Sequence, residues 1–523
     1  MRLVPPVLCF GLVVSLGAVA ASAAPLHLRG QQRLETAPGS GVYRPAPLDL
    51  TWEPAQTAIV ICDMWDRHWC QGATARVAEL APRMNEVLKA ARRQGVFIVH
   101  CPSDTMEFYE KYPQRARAKA AEKAALVARP AGWCKLRAEG EPALPFDNPH
   151  DRCDCVPQCP HGNPWKRQVA TLEIAPEDAI TDSEEALGLL RAHGIENVIV
   201  MGVHTNMCVL GRPFAIRNLL RQGFNTVLMR DLTDSMHDSG EPPLGLDHFR
   251  ATELVVAHVE KYWCPTISSS DFLGGGAFAF AGDTRPHVAL LIGEDEYETE
   301  RTLPAFADAE LADQGLRLSY VYADSQDKNN FPGMETLDTA DLLVVSVRRR
   351  FPTTKQLERV RTHVAAGRPV VGIRTASHAF AERSGFQAPP GHAAWPEFDH
   401  AVLGGNYTNH HGNSSPDGPR SYWWVVPEEA KHPIVRGLPH GELPTRSWLY
   451  KTRPLSPKAE VLAYGRVDGR EPPEPLAWTH ETPAGGRVFY TSLGHVDDFA
   501  APAFRQMLRQ GVLWSLGRTS DGP

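Results

Sequence analysis

The chain has no charge pattern that would hold a nucleic acid and, past its first two dozen residues, no run that would span a bilayer. Its 523 residues carry a net charge of −7, and no basic stripe is long enough to track a phosphate backbone, so nucleic acid is excluded as a partner. After the first two dozen residues no apolar run has the length of a membrane span. The paired C-x2-C spacing of zinc ribbons is missing as well. What remains is 43% hydrophobic and 22% charged, the composition of a soluble globular protein. The 42 glycines and 44 prolines read as loops and turns, and the length predicts two domains.

The opening stretch, residues 1–23, has a short basic start, an apolar run and Ala21-Ser22-Ala23 at a signal-cleavage position. A single membrane anchor is the alternative; Pro5, Pro6 and the small-residue end favour cleavage. The expectation is a periplasmic or secreted protein with no stable membrane anchor. Cys9 would leave with the leader, and nine of ten cysteines would remain. An odd number in an oxidising compartment fits one working thiol with the others paired or buried. Cys153, Cys155 and Cys159 fall close together on a Pro-flanked loop, with Cys134 upstream. They read as a metal knuckle or as disulfide staples. The missing C-x2-C pairs and the compartment favour disulfides, and no metal ligand set or cofactor is assigned.

From Thr57 onward, short β-branched runs alternate with helical patterns. This predicts a parallel sheet with helices on both faces over residues 50–267, interrupted by an insertion at 103–164. Asp182 reads as a helix N-cap, with Glu185 three residues on and Gly194 as the stop. The run from Asn206 to Gly223 reads as one helix. Residues 268–286, with three consecutive glycines, read as a linker, and a second alternating unit follows over 287–518. The fold class is thus α/β: two doubly wound three-layer α/β/α domains with mostly parallel sheets.

Ligands of such sheets sit at the carboxyl ends of strands. Asp63 ends the first strand, His204 and Thr205 form the turn after "NVIVMGV", and Cys208 opens the next helix. A helix N-terminus lowers a thiol pKa and offers N–H groups to an oxyanion. Asp63 is placed to exchange the thiol proton. On spacing alone, a packed apolar thiol remains the other reading.

The segments "AIVICDMWD" and "GVHTNMCVLGRPFAIRNLLRQGFNTVLMRDLTDS" resemble the isochorismatase-like cysteine hydrolase family. Gly202, Thr205, Cys208 and Val209 match its G-x-x-T-x-x-C-V segment. The resemblance implies Cys208 as nucleophile, Asp63 as general base, a non-proline cis peptide near Val203-His204, and oxyanion donors among the amides of Thr205 to Cys208. It also implies a lysine between the two segments. Asp182 stands where that lysine is expected, so Lys166 or Arg167 is the candidate, Lys166 slightly preferred. The D-x-H metal pair of nicotinamide-cleaving relatives is missing after the second strand. Asp66 and His68 have the spacing but follow the first strand, so Trp65, His68 and Trp69 read as pocket wall.

In the second half, "VVGIRTASHAF" resembles the nucleophile elbow of class I glutamine amidotransferases, but Arg374 replaces the cysteine. The stretches "VLGGNYTNHHG", "KHPIVRGLP" and "PLAWTHETPAGGRVFYTSLGHVDDF" are similar to the ThuA-like domain of trehalose-utilisation proteins. This implies a carbohydrate or its oxidised derivative as ligand. Candidate pocket residues are Glu296, Arg374, His378, His410, His411 and His495. His410-His411 has no carboxylate placed by sequence to complete a metal site. The expected function is C–N bond hydrolysis of a small-molecule substrate, in a chain free to form homo-oligomers. The alternatives are a carbohydrate-binding scaffold, or chemistry centred in the ThuA-like half.

Overall fold

A computed structural model describes residues 24–121, 127, 132–135, 140–146, 152–240, 246–412 and 420–518; the expected leader lies outside them. The first sheet consists of β1 (Leu26–Glu35), β2 (Tyr43–Trp52), β3 (Thr57–Cys62), β4 (Phe97–Cys101), β5 (Ala179–Ile180), β6 (Asn197–Val203), β7 (Asn225–Asp234) and β8 (Thr266–Ile267). Their spatial order is β2-β1-β8-β7-β6-β3-β4-β5. Strands β3 to β8 run parallel, and the hairpin β1–β2 is added antiparallel at the β8 edge. Val60 and Val200 face one core while Ile59, Ile61 and Ile199 face the other. Burial on both faces explains why these strands are continuous apolar runs.

The second sheet comprises β9 (His287–Gly293), β10 (Arg317–Tyr322), β11 (Leu342–Val347), β12 (Val370–Ile373), β14 (Ser421–Val425), β15 (Leu443–Thr445), β17 (Glu460–Val467), β18 (Glu474–Glu481) and β19 (Arg487–Thr491); β13 (Asn409–His410) and β16 (Tyr450–Lys451) form a separate ribbon. In the order β10-β9-β11-β12-β19-β18-β17-β14-β15, pairing is parallel as far as β19 and antiparallel beyond it. With helices such as Thr299–Glu310, Thr354–Ala365 and Pro502–Ser515, this is the expected pair of α/β domains.

Three local expectations change. The helix after β6 is two short helices, Cys208–Gly211 and Ile216–Arg221. Pro213 has no N–H and disfavours a helical residue before it, and Arg212 is accordingly extended at φ −61°, ψ 158°. Asp182 caps no helix: Glu185–Ala192 begins without a side-chain cap, and Asp182 accepts from Asp104 N at 3.1 Å. Residues 268–286 are fastened to the first domain. Asp231 accepts from Ser269 N, Ser269 Oγ and Phe278 N, and Phe272, Leu273, Phe278 and Phe280 pack on its core.

The hairpin is also unanticipated. Besides its seat on β8, it reaches the second domain: Arg33 forms a two-pronged pair with Asp308 at 2.6 and 2.9 Å, and Pro45 O accepts from Tyr322 Oη. Two cavities of about 300 and 790 Å3 lie along it, and neither is lined by Asp63, Cys208 or Arg374.

Candidate functional site

From β3 the chain moves to β4 and β5, and from the adjacent β6 to β7 and β8 on the other side. A cleft opens past the strand ends at such a reversal. Asp63 lies there, fully buried, with a left-handed φ of 47°. One carboxylate oxygen accepts from Ser103 N at 2.9 Å and the other from Arg212 Nε at 3.1 Å; the Cys208 thiol is close enough for the two groups to shift each other's pKa. Burial raises the Asp63 carboxyl above its ordinary value, while Arg212 and Ser103 pull the other way. Burial also pushes the Cys208 thiol up; Asp63 adds to this and Arg212 opposes it. The expected low thiol pKa is therefore corrected. The helix opened by Cys208 has four residues, one turn of summed dipoles, set against burial and the charge of the nearby Asp63 carboxylate.

The turn before Cys208 contains the expected cis peptide at Val203-His204. Gly202 precedes it at φ 119°, where a Cβ would meet Cys62 O at 2.0 Å. Thr205 is a structural pin: its Oγ1 lies 2.6 Å from Thr233 Oγ1, and its N–H donates to Asp234 O. Met207 N donates to His204 O. Of the expected oxyanion donors this leaves the amides of Asn206 and Cys208.

The third polar residue is Arg212. Lys166 and Arg167 are exposed and serve Asp66, through their backbone amides at 3.0 and 3.4 Å; the Arg167 guanidinium lies over Phe108. Neither is among the partners of Asp63. The break at Pro213 is what brings Arg212 there, a signal present in "CVLGRP" but masked by reading the stretch as one helix.

Trp65, His68 and Trp69 form a wall, joined by His161 from the insertion and by Trp165 just past its end. Trp165 stacks on Trp65 at 4.6 Å and His161 on Trp69 at 4.5 Å. His68 meets His204 edge-on at 5.0 Å. Burial, with Arg76 nearby, lowers His68 to about 4; burial and His68 lower His204 to about 3. Both rings are neutral at physiological pH. His204 Nε2 is buried without a hydrogen-bond partner among the described residues.

The disulfide expectation is corrected too. Among the described residues every cysteine is a free thiol. Cys134 stands apart: its N–H donates to Gly211 O, and its sulfur accepts from Arg221. Cys153, Cys155 and Cys159 instead gather around Cys70, which sequence spacing did not connect to them.

Beneath them Arg76, Asp154, Asp234 and His248 form a network. His248 lies 2.8 Å from both Asp234 and Asp154, and Arg76 Nε donates to Asp234 at 2.8 Å. Burial disfavours the imidazolium, but the two carboxylates overcome it and raise His248 to about 9.

In the second domain Arg374 follows β12 with a left-handed φ of 48° and is 1% exposed. Its Nη1 donates to Ser447 Oγ and Ser492 O at 3.0 and 2.8 Å, and its guanidinium lies over Tyr297 and Tyr450. Nε and Nη2 have no hydrogen-bond partner among the described residues. His378 stacks on Tyr407 at 4.4 Å; burial, then Arg349, Arg348 and Arg374, push it well below its ordinary pKa. His495 meets Tyr297 edge-on, and His410 lies against Trp448. Glu296 pairs with Arg348. His411 leaves the group for Glu474 at 3.1 Å, the carboxylate that sequence did not place. The centre is thus positive and aromatic, and its tyrosines and Arg348 and Arg349 were not foreseen.

Family models match twice: an isochorismatase domain over residues 57–260 and a ThuA, trehalose utilisation, domain over residues 293–515. No curated protein is similar in sequence. Solved structures similar to parts of the chain include a putative ThuA-like protein from Parabacteroides merdae (16% identity, 45% of this chain and 92% of that one, TM-score 0.32). Others are a cysteine hydrolase from Pseudomonas syringae pv. phaseolicola (15%, 42% and 91%, TM-score 0.26) and N-carbamoylsarcosine amidase from Thermoplasma acidophilum (12%, 41% and 96%, TM-score 0.24).

Proposed function

We propose that this fusion of an isochorismatase-like domain to a ThuA-like domain is an exported thiol hydrolase of C–N bonds, of amide or carbamoyl type, whose second domain binds an oxidised carbohydrate. The observation that carries the reading is the placement of Cys208 and the buried Asp63 just past the ends of the paired strands β6 and β3, with Asp63 held by Arg212. Burial and the Asp63 charge favour the protonated thiol in the resting site. As the sulfur attacks the carbonyl carbon, its proton passes to Asp63, and the carbonyl oxygen becomes an anion held by the amides of Asn206 and Cys208. Asp63 returns the proton to the leaving nitrogen, the C–N bond breaks and a thioester remains. Asp63 then takes a proton from water, hydroxide adds to the thioester, and the acid leaves as the thiol is restored. Arg212 stays charged throughout and holds the carboxylate in place; arginine does not shuttle protons. In the second domain, the free guanidinium N–H groups of Arg374 suit a carboxylate, and the tyrosines suit a sugar face. Ammonia or amine release from a panel of primary amides and carbamoyl compounds tests the first half. Turnover lost in Cys208→Ala is expected; equal turnover in that variant, or none in the wild type across the panel, defeats the reading.

A further inference from the structure

We propose that Cys70, Cys153, Cys155 and Cys159 are the four ligands of a structural zinc ion that fastens the inserted segment over the first pocket. Their sulfur atoms all lie within 4.8 Å of one another, and Cys70 Sγ is 3.7 Å from Cys155 Sγ. Sulfurs at the corners of a tetrahedron with Zn–S near 2.3 Å are about 3.8 Å apart. A disulfide needs about 2.05 Å. Two disulfides would also draw the sulfurs into pairs, whereas here each has the other three as neighbours.

The surroundings suit thiolates. Cys70 is the N-cap of the helix Gln71–Arg93, and three consecutive amides of its first turn donate to three of the sulfurs. Gln71 N donates to Cys159 at 3.4 Å, Gly72 N to Cys155 at 3.4 Å and Ala73 N to Cys70 at 3.3 Å. Zinc with four thiolates carries a net charge of −2, which these donors and the nearby Arg76 offset. Gly72 is part of the fit: a Cβ there would lie 3.2 Å from Cys155 Sγ and 3.1 Å from Arg76 Nη1.

The segment also needs a fastening. Residues 152–165 contain no helix or strand, so no backbone ladder holds them. Yet they deliver His161 and Trp165 to the aromatic wall. Four protein ligands leave no open position, so the ion is structural and takes no part in the chemistry. Soft tetrahedral thiolates select zinc over hard cations. Three ligands come from the insertion and one from the loop after β3, so the ion joins segments 83 positions apart.

Metal analysis of the full chain purified without chelator should give about one zinc per chain, released in step with thiol modification. Replacement by Co2+ should give the intense sulfur-to-metal and d–d bands of a tetrahedral tetrathiolate. Cys155→Ser should weaken zinc retention at least tenfold against a chromogenic chelator. Cys155→His, which preserves a zinc-competent Cys3His set, should retain the metal with a blue-shifted cobalt spectrum. Zinc-free protein whose non-reducing mass spectrum shows disulfides among the four cysteines overturns the proposal, as does unchanged zinc retention in Cys155→Ser. If that variant does not fold, wild-type stoichiometry and the cobalt spectrum decide.

Discussion

Arg212 Nε lies 3.1 Å from Asp63 Oδ2, in a site where sequence resemblance places a lysine. The difference is chemical. A lysine can exchange a proton, whereas this guanidinium can only hold the carboxylate, so Asp63 alone must move the proton. Removing the guanidinium takes away the main influence lowering the Asp63 pKa. Arg212→Ala should move the acid limb of the kcat/KM pH profile to higher pH and lower turnover by roughly 10²-fold. An unmoved acid limb would contradict this role.

Asp63 both serves Cys208 and suppresses its ionisation. Asp63→Asn should therefore separate two readouts. Turnover should fall by about 10²–10⁴-fold as the proton acceptor is lost. The thiolate fraction of Cys208 at a given pH should rise, because a negative neighbour is gone. Ultraviolet thiolate titration against a Cys208→Ser blank measures it. A higher thiol pKa in Asp63→Asn would show that the carboxylate does not act by its charge.

His248 sets a pH window for stability. Its folded pKa of about 9 exceeds the unfolded value of 6.5. The stabilisation is therefore fully present below about pH 6.5 and lost as pH rises through about 9. The shift corresponds to roughly 3 kcal/mol. Denaturant midpoints should fall between pH 7 and 10 in the wild type and fall less in His248→Gln; parallel declines would remove the network from the account.

Gly202 tolerates no side chain. The required φ of 119° and a Cβ only 2.0 Å from Cys62 O combine strain with a backbone clash. Gly202→Ala should lose more than about 3 kcal/mol of stability. Chemical denaturation reads the loss directly, and a wild-type midpoint would mean the turn can relax.

In the second domain, Arg374→Met should weaken binding of sugar acids by about 10²-fold while leaving neutral sugars unaffected. Calorimetry with an aldonate and its parent aldose separates the two. Equal loss for both would assign Arg374 to the scaffold, through Ser447 and Ser492.

Strands with two buried faces are legible because their apolar runs need no partner information; β3, β6, β9 and β11 stand where the alternation places them. Asp63 and Cys208 were legible because a strand end fixes both. Arg212 was not, since helical periodicity across "CVLGRPFAIRNLL" hides the break that Pro213 imposes. Cys70 was not, because 83 positions separate it from the next ligand, Cys153, and leave no local spacing. The hairpin was hidden by β2, "YRPAPLDLTW", whose prolines argue against a strand except at a sheet edge, where it lies. The tyrosines around Arg374, Tyr297, Tyr407 and Tyr450, come from three separate segments, and only the folded chain gathers them.

The hairpin β1–β2 is made first and seated late. Its sheet partner, Thr266 opposite Gln31, leaves the ribosome more than two hundred residues afterwards, and its contact Asp308 later still. At roughly 5–20 residues per second that is a delay on the order of 10–50 s. During it a two-stranded ribbon, marginal on its own, presents an open edge to every other nascent chain. The prolines that spoil β2 as a template for further strands therefore guard the protein in the interval before it has a fold to protect.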